Sequence, residues 1–311
     1  MKLGLLFSIV LVVSAFFLVS FILYDLAPGE TQRFFDQDGS NTPIVTQNVI
    51  DDFPNGILFY PNLRFTNKQI SYYISETCEG SKADDSRKAF QTLTEETSLN
   101  FHESPRGDIK VSCSEAEPVP EEGFFVAGEG GPNSIINASN FYIINNGTIL
   151  LYRENKCSKP IVAIHEILHV LGFKHSSNQK SIMHEVSNCN QQLTKEIIET
   201  IDNLYKYETL PDLTIREASA TKSGKRIEFS VEIFNSGLDM AFNSKLGLFT
   251  NGELISEYEI GELEIGSGKI ITVGNLRVPR NLNTLTFKVD HKETIFEISE
   301  DNNEKTFAIN E

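Results

Sequence analysis

The spacing of apolar and polar positions changes along the chain, and each change marks a segment. The first is Leu3–Tyr24, an uncharged apolar run preceded by Lys2. A helix of that length covers roughly 30 Å, the thickness of a bilayer's hydrocarbon core. Two readings stay open. One is an uncleaved signal anchor crossing the membrane over residues 1–24. The other is a cleaved signal peptide, whose apolar region usually runs about 7–15 residues. The run is longer than that, and neither Ser20-Phe21-Ile22 nor Leu26-Ala27-Pro28 has a small-x-small cleavage pattern, which favours the anchor. Lys2 agrees with the positive-inside rule. Both readings export the rest of the chain, to the outside of a cell membrane or into the medium.

Residues 25–55 show little periodicity and are punctuated by Pro28, Gly29, Gly39, Pro43 and Pro54, the texture of a linker or stalk. Residues 56–208 mix two periods. Ile70–Ile74 is rich in aromatic and β-branched residues and predicts a strand. Ala89, Phe90, Leu93 and Thr97 predict an amphipathic helix over Asp84–Thr97, and Ile109–Cys113 alternates as a second strand. Gly128–Gly131 is expected to be a flexible loop. Asn146-Gly147, between two apolar runs, predicts a tight hairpin turn. A helix is expected from Ser158 as N-cap to Gly172, and another from Thr194 to Tyr207. Strands and helices in this order make an α+β domain. Over residues 209–311 the runs are short and alternating: Leu213–Ile215, Ile227–Ile233, Leu246–Phe249, Ile270–Val273 and Leu285–Val289. Turn signals separate them, which predicts an all-β sandwich.

Charge narrows the choice of partners. The formal net charge of −16 repels phosphate backbones and anionic lipid surfaces, so nucleic acid is excluded as a partner. The four cysteines, Cys78, Cys113, Cys157 and Cys189, have no C-x-x-C spacing. In an exported chain an even number suggests disulfides, and three pairings are open. If the strands at Ile70–Ile74 and Ile109–Cys113 are neighbours, Cys78 and Cys113 meet at their ends.

The chemistry lies in His165-Glu166-Ile167-Leu168-His169-Val170-Leu171-Gly172-Phe173-Lys174-His175. On a helix, His165 and His169 project from one face a turn apart. Gly172 can take the left-handed conformation that ends a helix and turns the chain back, which returns His175 as a third ligand. Three neutral imidazoles leave a fourth tetrahedral position for water, the composition of a catalytic rather than a structural zinc site. Glu166 is then the general base beside that water. Bare H-E-x-x-H arises by chance in about one chain in a hundred. The added glycine and histidine lower that by orders of magnitude.

Downstream, Ser181-Ile182-Met183-His184 resembles the Met-turn of the metzincin clan of zinc peptidases. The likeness to its matrixin-like branch extends over about Asn55–Tyr207: a strand, a helix, Gly107-Asp108-Ile109-Lys110-Val111, a hairpin, the zinc helix, and a closing helix over Leu193–Tyr205. The resemblance implies a single catalytic zinc ion on His165, His169 and His175, with Met183 as an apolar floor. It also implies Glu166-assisted hydrolysis of peptide bonds in protein or peptide substrates outside the cytoplasm. It places Cys157 and Cys189 close together, so the expected pairing is Cys78–Cys113 and Cys157–Cys189. Two positions depart from the family. Glu185 stands where a proline is usual, and Ser187 where some branches carry a tyrosine that assists the oxyanion. His184 is the candidate substitute. Calcium held by carboxylates is the one further ion left open. The C-terminal region resembles the CARDB domain, an immunoglobulin-like sandwich of prokaryotic surface proteins, over about Leu210–Phe307. The carrying segments are Pro211-Asp212-Leu213, Val231–Gly237, Val289-Asp290, Ile295-Phe296-Glu297 and Glu300–Asn303. That implies a module that binds a surface partner and does no chemistry. Besides an endopeptidase, two alternatives stand: a surface adhesion protein with an inactive zinc site, and a zinc amidase acting on the cell envelope.

Overall fold

The computed structural model describes residues 32–34, 56–116, 126–154 and 156–308. The expected anchor at Leu3–Tyr24 and most of the linker lie outside the described residues. Among the described residues no helix is long and apolar enough to cross a membrane.

After β1 (Gln32–Phe34), the α+β half begins. It comprises β2 (Leu63–Arg64), β3 (Gln69–Ile74), α1 (Ser81–Glu96), β4 (Asn100–Glu103), β5 (Ile109–Cys113), β6 (Gly128–Asn137), β7 (Tyr142–Leu151), α2 (Ile161–Val170) and α3 (Lys195–Leu204). The sheet runs β2-β7-β5-β3-β4 in parallel, and β6 pairs antiparallel with β7. Strand β3 buries Ile70, Tyr72 and Ile74, the alternate positions of a strand with one face on a core. Helix α1 buries Ala83, Ser86, Ala89, Phe90 and Leu93. Phe90 stacks on Tyr72 at 3.9 Å between ring centroids and tilts against Phe101 at 5.2 Å, which locks α1 to the sheet. Helix α2 is apolar nearly all round and is buried as such.

The expected hairpin turn at Asn146-Gly147 is absent. β7 runs straight through both residues, and the β6–β7 turn lies at Ala138–Phe141, where the Ala138 N–H donates to the Phe141 carbonyl at 2.9 Å. Gly147 serves close approach instead, since a Cβ there would stand 2.4 Å from Val170 Cγ1 of α2. Gly128–Gly131, expected as a loop, is the first half of β6. Helix α1 starts at Ser81, ahead of Asp84. Helix α2 starts at Ile161 behind Pro160 rather than at Ser158, and Thr194 precedes α3 without a side-chain cap bond.

Both expected disulfides form: Cys78–Cys113, with Cα atoms 4.8 Å apart, and Cys157–Cys189, at 5.2 Å. Arg64 is 1% exposed, and no sequence pattern announced it. Its guanidinium donates to the carbonyls of Phe65, Thr66 and Leu204 and lies 4.3 Å from the centre of the Tyr205 ring. Leu204 ends α3, so Arg64 supplies a donor and a positive charge where the helix leaves carbonyls unpaired.

The C-terminal half comprises β8 (Leu213–Ser223), β9 (Arg226–Asn235), β10 (Ala241–Thr250), β11 (Glu253–Leu263), β12 (Gly268–Arg277), β13 (Thr284–Val289) and β14 (Glu304–Ala308). Two antiparallel sheets, β1-β8-β9-β12 and β11-β10-β13-β14, enclose one apolar core as expected for a sandwich. Residues Gln32–Phe34 of the expected linker pair with the edge of β8. The β6–β7 turn meets the sandwich: Ala138, Phe141 and Ile143 cluster with Leu238. Asn140 Nδ2 donates to Asp212 Oδ2 at 2.9 Å.

Candidate metal centre

Helix α2 carries His165 and His169 one turn apart, and its ending brings back the third histidine. The Gly172 N–H donates to the His169 carbonyl at 3.0 Å, and the Phe173 N–H to the Leu168 carbonyl at 2.9 Å. These are the two bonds of a Schellman ending, which requires a left-handed residue, and Gly172 has φ +97°. A side chain there would also meet Leu63 Cδ2 at 2.5 Å. The returning loop is held from outside by residues 57–59. Phe59 N–H donates to the Gly172 carbonyl at 2.8 Å, and Lys174 N–H to the Ile57 carbonyl at 2.7 Å. The Phe59 ring stacks 6.2 Å from that of His169.

The three imidazoles converge. His169 Nε2 lies 3.0 Å from His165 Nε2 and 3.1 Å from His175 Nε2. Nitrogens about 2.05 Å from one tetrahedral metal stand about 3.3 Å apart, so the spacing is close to that of a shared ion. The opposite ring nitrogens are engaged. His165 Nδ1 donates to the Ile182 carbonyl at 2.7 Å, and His169 Nδ1 to the Phe173 carbonyl at 2.8 Å. That arrangement fixes the tautomer that leaves each Nε2 lone pair free. Burial pushes the His165 imidazolium down to about 4 and lowers that of His169 as well, so both rings stay neutral. The three histidines could hold a metal ion. Among the described residues no other trio of His, Cys, Asp or Glu side chains draws together in this way, carboxylates for calcium included.

Glu166 is 5% exposed. Burial, with a smaller contribution from Glu129, pushes its carboxyl up to about 8. A cation on the three rings would draw it back toward the carboxylate. Strand β6 roofs this residue. A Cβ on Gly128 would stand 2.9 Å from Glu166 Cγ, and one on Gly130 only 2.4 Å from the Glu166 carbonyl oxygen. Among the described residues β6 pairs only with β7, which leaves its other edge open.

Met183 is 1% exposed, as an apolar floor would be. The turn that carries it also acts through its backbone, since Ile182 supplies the carbonyl that orients His165, a role invisible in the sequence. His184 does not join the three histidines: its Nδ1 accepts the Val186 N–H at 3.2 Å within its own loop. Glu185 and Ser187 are exposed.

Comparison with known proteins agrees with both halves. Residues 64–206 match the Matrixin family model, and residues 210–307 match the CARDB model. No curated protein matches the chain. Two solved structures of the CARDB domain of the PF1109 protein from Pyrococcus furiosus are similar. The crystal structure, "in complex with di-metal ions", is 25% identical and covers 32% of this chain and 87% of that one, with a TM-score of 0.28. The solution NMR structure is 26% identical and covers 32% and 94%, also at 0.28. The chain thus carries a matrixin domain over residues 64–206, followed by a CARDB domain over residues 210–307.

Proposed function

We propose that the chain is a zinc-dependent endopeptidase acting on proteins or peptides outside the cytoplasm. The observation that carries this reading is the convergence of His165, His169 and His175 Nε2 beside the buried carboxyl of Glu166. Three imidazoles fit zinc by donor type and number. Zinc held there would supply a Lewis acid for the scissile carbonyl and would acidify a water molecule. Glu166 takes the proton of that water as it attacks and passes it to the leaving amine. The open edge of β6 can receive the substrate as an added antiparallel strand, its backbone orienting the peptide bond over Glu166. Residues 57–59 and the Ile182 carbonyl hold the imidazoles in place and perform no chemistry.

The location outside the cytoplasm rests on the uncharged run Leu3–Tyr24, read as a membrane anchor, and on two disulfides, which persist in oxidising compartments. The CARDB domain is proposed as a module for a surface partner. The test is zinc content and turnover of the full chain. One zinc per chain is expected, and Glu166→Gln should keep the zinc while losing cleavage of an unfolded protein substrate. A folded protein without bound zinc, or equal cleavage by the variant, overturns the proposal.

A further inference from the structure

The sandwich is electrically lopsided. Its end nearest the matrixin domain holds Asp212, Asp290, Glu293, Glu297 and Glu300, where burial first and neighbouring carboxylates of this group second push the Glu297 and Glu300 carboxyls up. The opposite end is built from the β8–β9 turn, the β10–β11 turn and the segment after β12. Residues 222–226, 250–253 and 277–283 there carry Lys222, Lys225, Arg226, Arg277 and Arg280 against the single acid Glu253. In a chain with 43 acidic and 27 basic residues, that local excess runs against the whole. Lys225, Arg277, Val278, Pro279 and Arg280 line a surface pocket of about 360 Å³. Its two walls are tied by the Val278 N–H donating to the Lys225 carbonyl at 2.9 Å. Among the described residues no carboxylate is in ion-pair range of Lys225, Arg277 or Arg280. Three cations held around one pocket without counter-charge repel one another, and an anion relieves that repulsion. Arginine forks in particular match phosphate oxygens.

The path of the chain says which anion. β8 leaves the matrixin interface at Leu213 and reaches the pocket end after 11 residues, roughly 35 Å away. β1 pairs antiparallel with the far end of β8, Gln32 opposite Lys222, so the N-terminal end of β1 lies at the pocket end. Tyr24, the last residue of the uncharged apolar run, is within roughly 30 Å of Gln32 by covalent reach alone.

We propose that this tip of the CARDB domain lies on the membrane surface, its pocket taking the phosphate of an anionic lipid headgroup. The orientation rests on the membrane anchor proposed above and is independent of the peptidase reading. It holds the matrixin domain on the side of the sandwich away from the bilayer, open to extracytoplasmic substrates.

The full chain would be reconstituted in nanodiscs of phosphatidylcholine, alone or mixed with phosphatidylglycerol, and Lys225 acylation followed by mass spectrometry. Lys195, with its side chain 86% exposed on the matrixin domain, is the internal reference. Lys225 should react at least about fivefold more slowly on the anionic discs, the effect of one cation engaging an anionic leaflet. High salt should abolish the difference. Arg277→Glu with Arg280→Glu should remove the protection while the chain still enters the discs. Equal Lys225 rates on the two lipids overturn the proposal. So does protection of Lys225 by inorganic phosphate on neutral discs to the same degree, which would assign the pocket to soluble phosphate. A chain that fails to enter discs of either lipid refutes the anchor, and the orientation with it. Cleavage of an unfolded protein by the same preparation reports separately on the metal centre.

Discussion

The fit of β6 over α2 can be tested with two alanines, one residue apart. At Gly130 an added Cβ would stand 2.4 Å from the Glu166 carbonyl oxygen and 3.0 Å from both its carbonyl carbon and its Cα. All three are backbone atoms of a buried helix, so no rotamer change can absorb the clash. Reaching ordinary contact needs a displacement of about 1 Å between strand and helix, and overpacking of this kind typically costs about 1–3 kcal/mol. At the midpoint of that range the melting temperature of a domain this size falls by about 4–8 °C. At Gly131 nothing lies within 4 Å of the added Cβ and the backbone is not left-handed. Gly131→Ala should therefore change stability by less than about 0.5 kcal/mol, or raise it slightly by restricting the unfolded chain.

The two variants also separate stability from catalysis. A misplacement of about 1 Å near a reacting centre can cost about a hundredfold in rate. Gly130→Ala should lower kcat/KM on an unfolded protein substrate by that order, whereas Gly131→Ala should not. Zinc content should stay at wild type in both, because the contacts that place the three Nε2 atoms come from α2, its ending, residues 57–59 and the Ile182 carbonyl, not from β6. Thermal unfolding, metal analysis and steady-state cleavage decide the matter. If Gly130→Ala melts and turns over like wild type, the packing of β6 on Glu166 is wrong. If it loses stability but keeps its rate, the roof is structural and does not position the base.

Two further predictions concern the scaffold. Arg64→Met leaves the carbonyls of Phe65, Thr66 and Leu204 without their donor, which should cost about 3 kcal/mol, or about 6–12 °C in melting temperature; an unchanged melt would show that water replaces the guanidinium. Burial pushes the Glu297 carboxyl up to about 8, so the folded state holds this proton more tightly than the unfolded chain does, where the pKa is about 4.5. Its contribution is fully present below about pH 4.5 and fades as pH rises through 8. Glu297→Gln keeps a carbonyl for the Leu213 N–H, and Asn303, whose Oδ1 is buried without a partner, can turn to meet the new amide. The melting temperature of the variant should rise relative to wild type between pH 5 and 8, and a difference that does not change with pH refutes the assignment.

Much of the metal centre was legible because its logic is local. Histidines four apart share a helix face whatever surrounds them, and Gly172 acts through the backbone of its own turn. The supports of that centre were not legible. His165 is oriented by the carbonyl of Ile182, and the ligand loop is braced by residues 57–59. Any residue can offer a carbonyl or an N–H, so neither contact leaves a mark on side-chain type. Arg64 is the same case from the other side: a lone arginine in a two-residue strand carries no sign of burial in its sequence, and only the end of α3 explains it. In the sandwich, β11 and β14 carry no clear strand signal in the sequence. The charged residues along β11 and the position of β14 at a sheet edge blur the alternation that marked its neighbours.

The glycines show where a sequence reading goes wrong for a physical reason. As sequence, Asn146-Gly147 and Gly128–Gly131 suggest a turn and a loop, because glycine frees the backbone. Glycine has a second property, the absence of a side chain, and it is this that the fold uses. Gly147 admits Val170, Gly128 and Gly130 admit Glu166, and all of them keep extended backbones inside strands. The two properties leave the same letter in the sequence and predict opposite structures. What separates them is a partner that must come close. The partner here is α2, whose nearly all-apolar surface demands burial on every side. A helix that presents two converging histidines on one face and buries the rest needs strands able to lie against its backbone. Gly128 and Gly130 of β6 therefore belong to the surroundings of Glu166, although neither places a histidine of the trio.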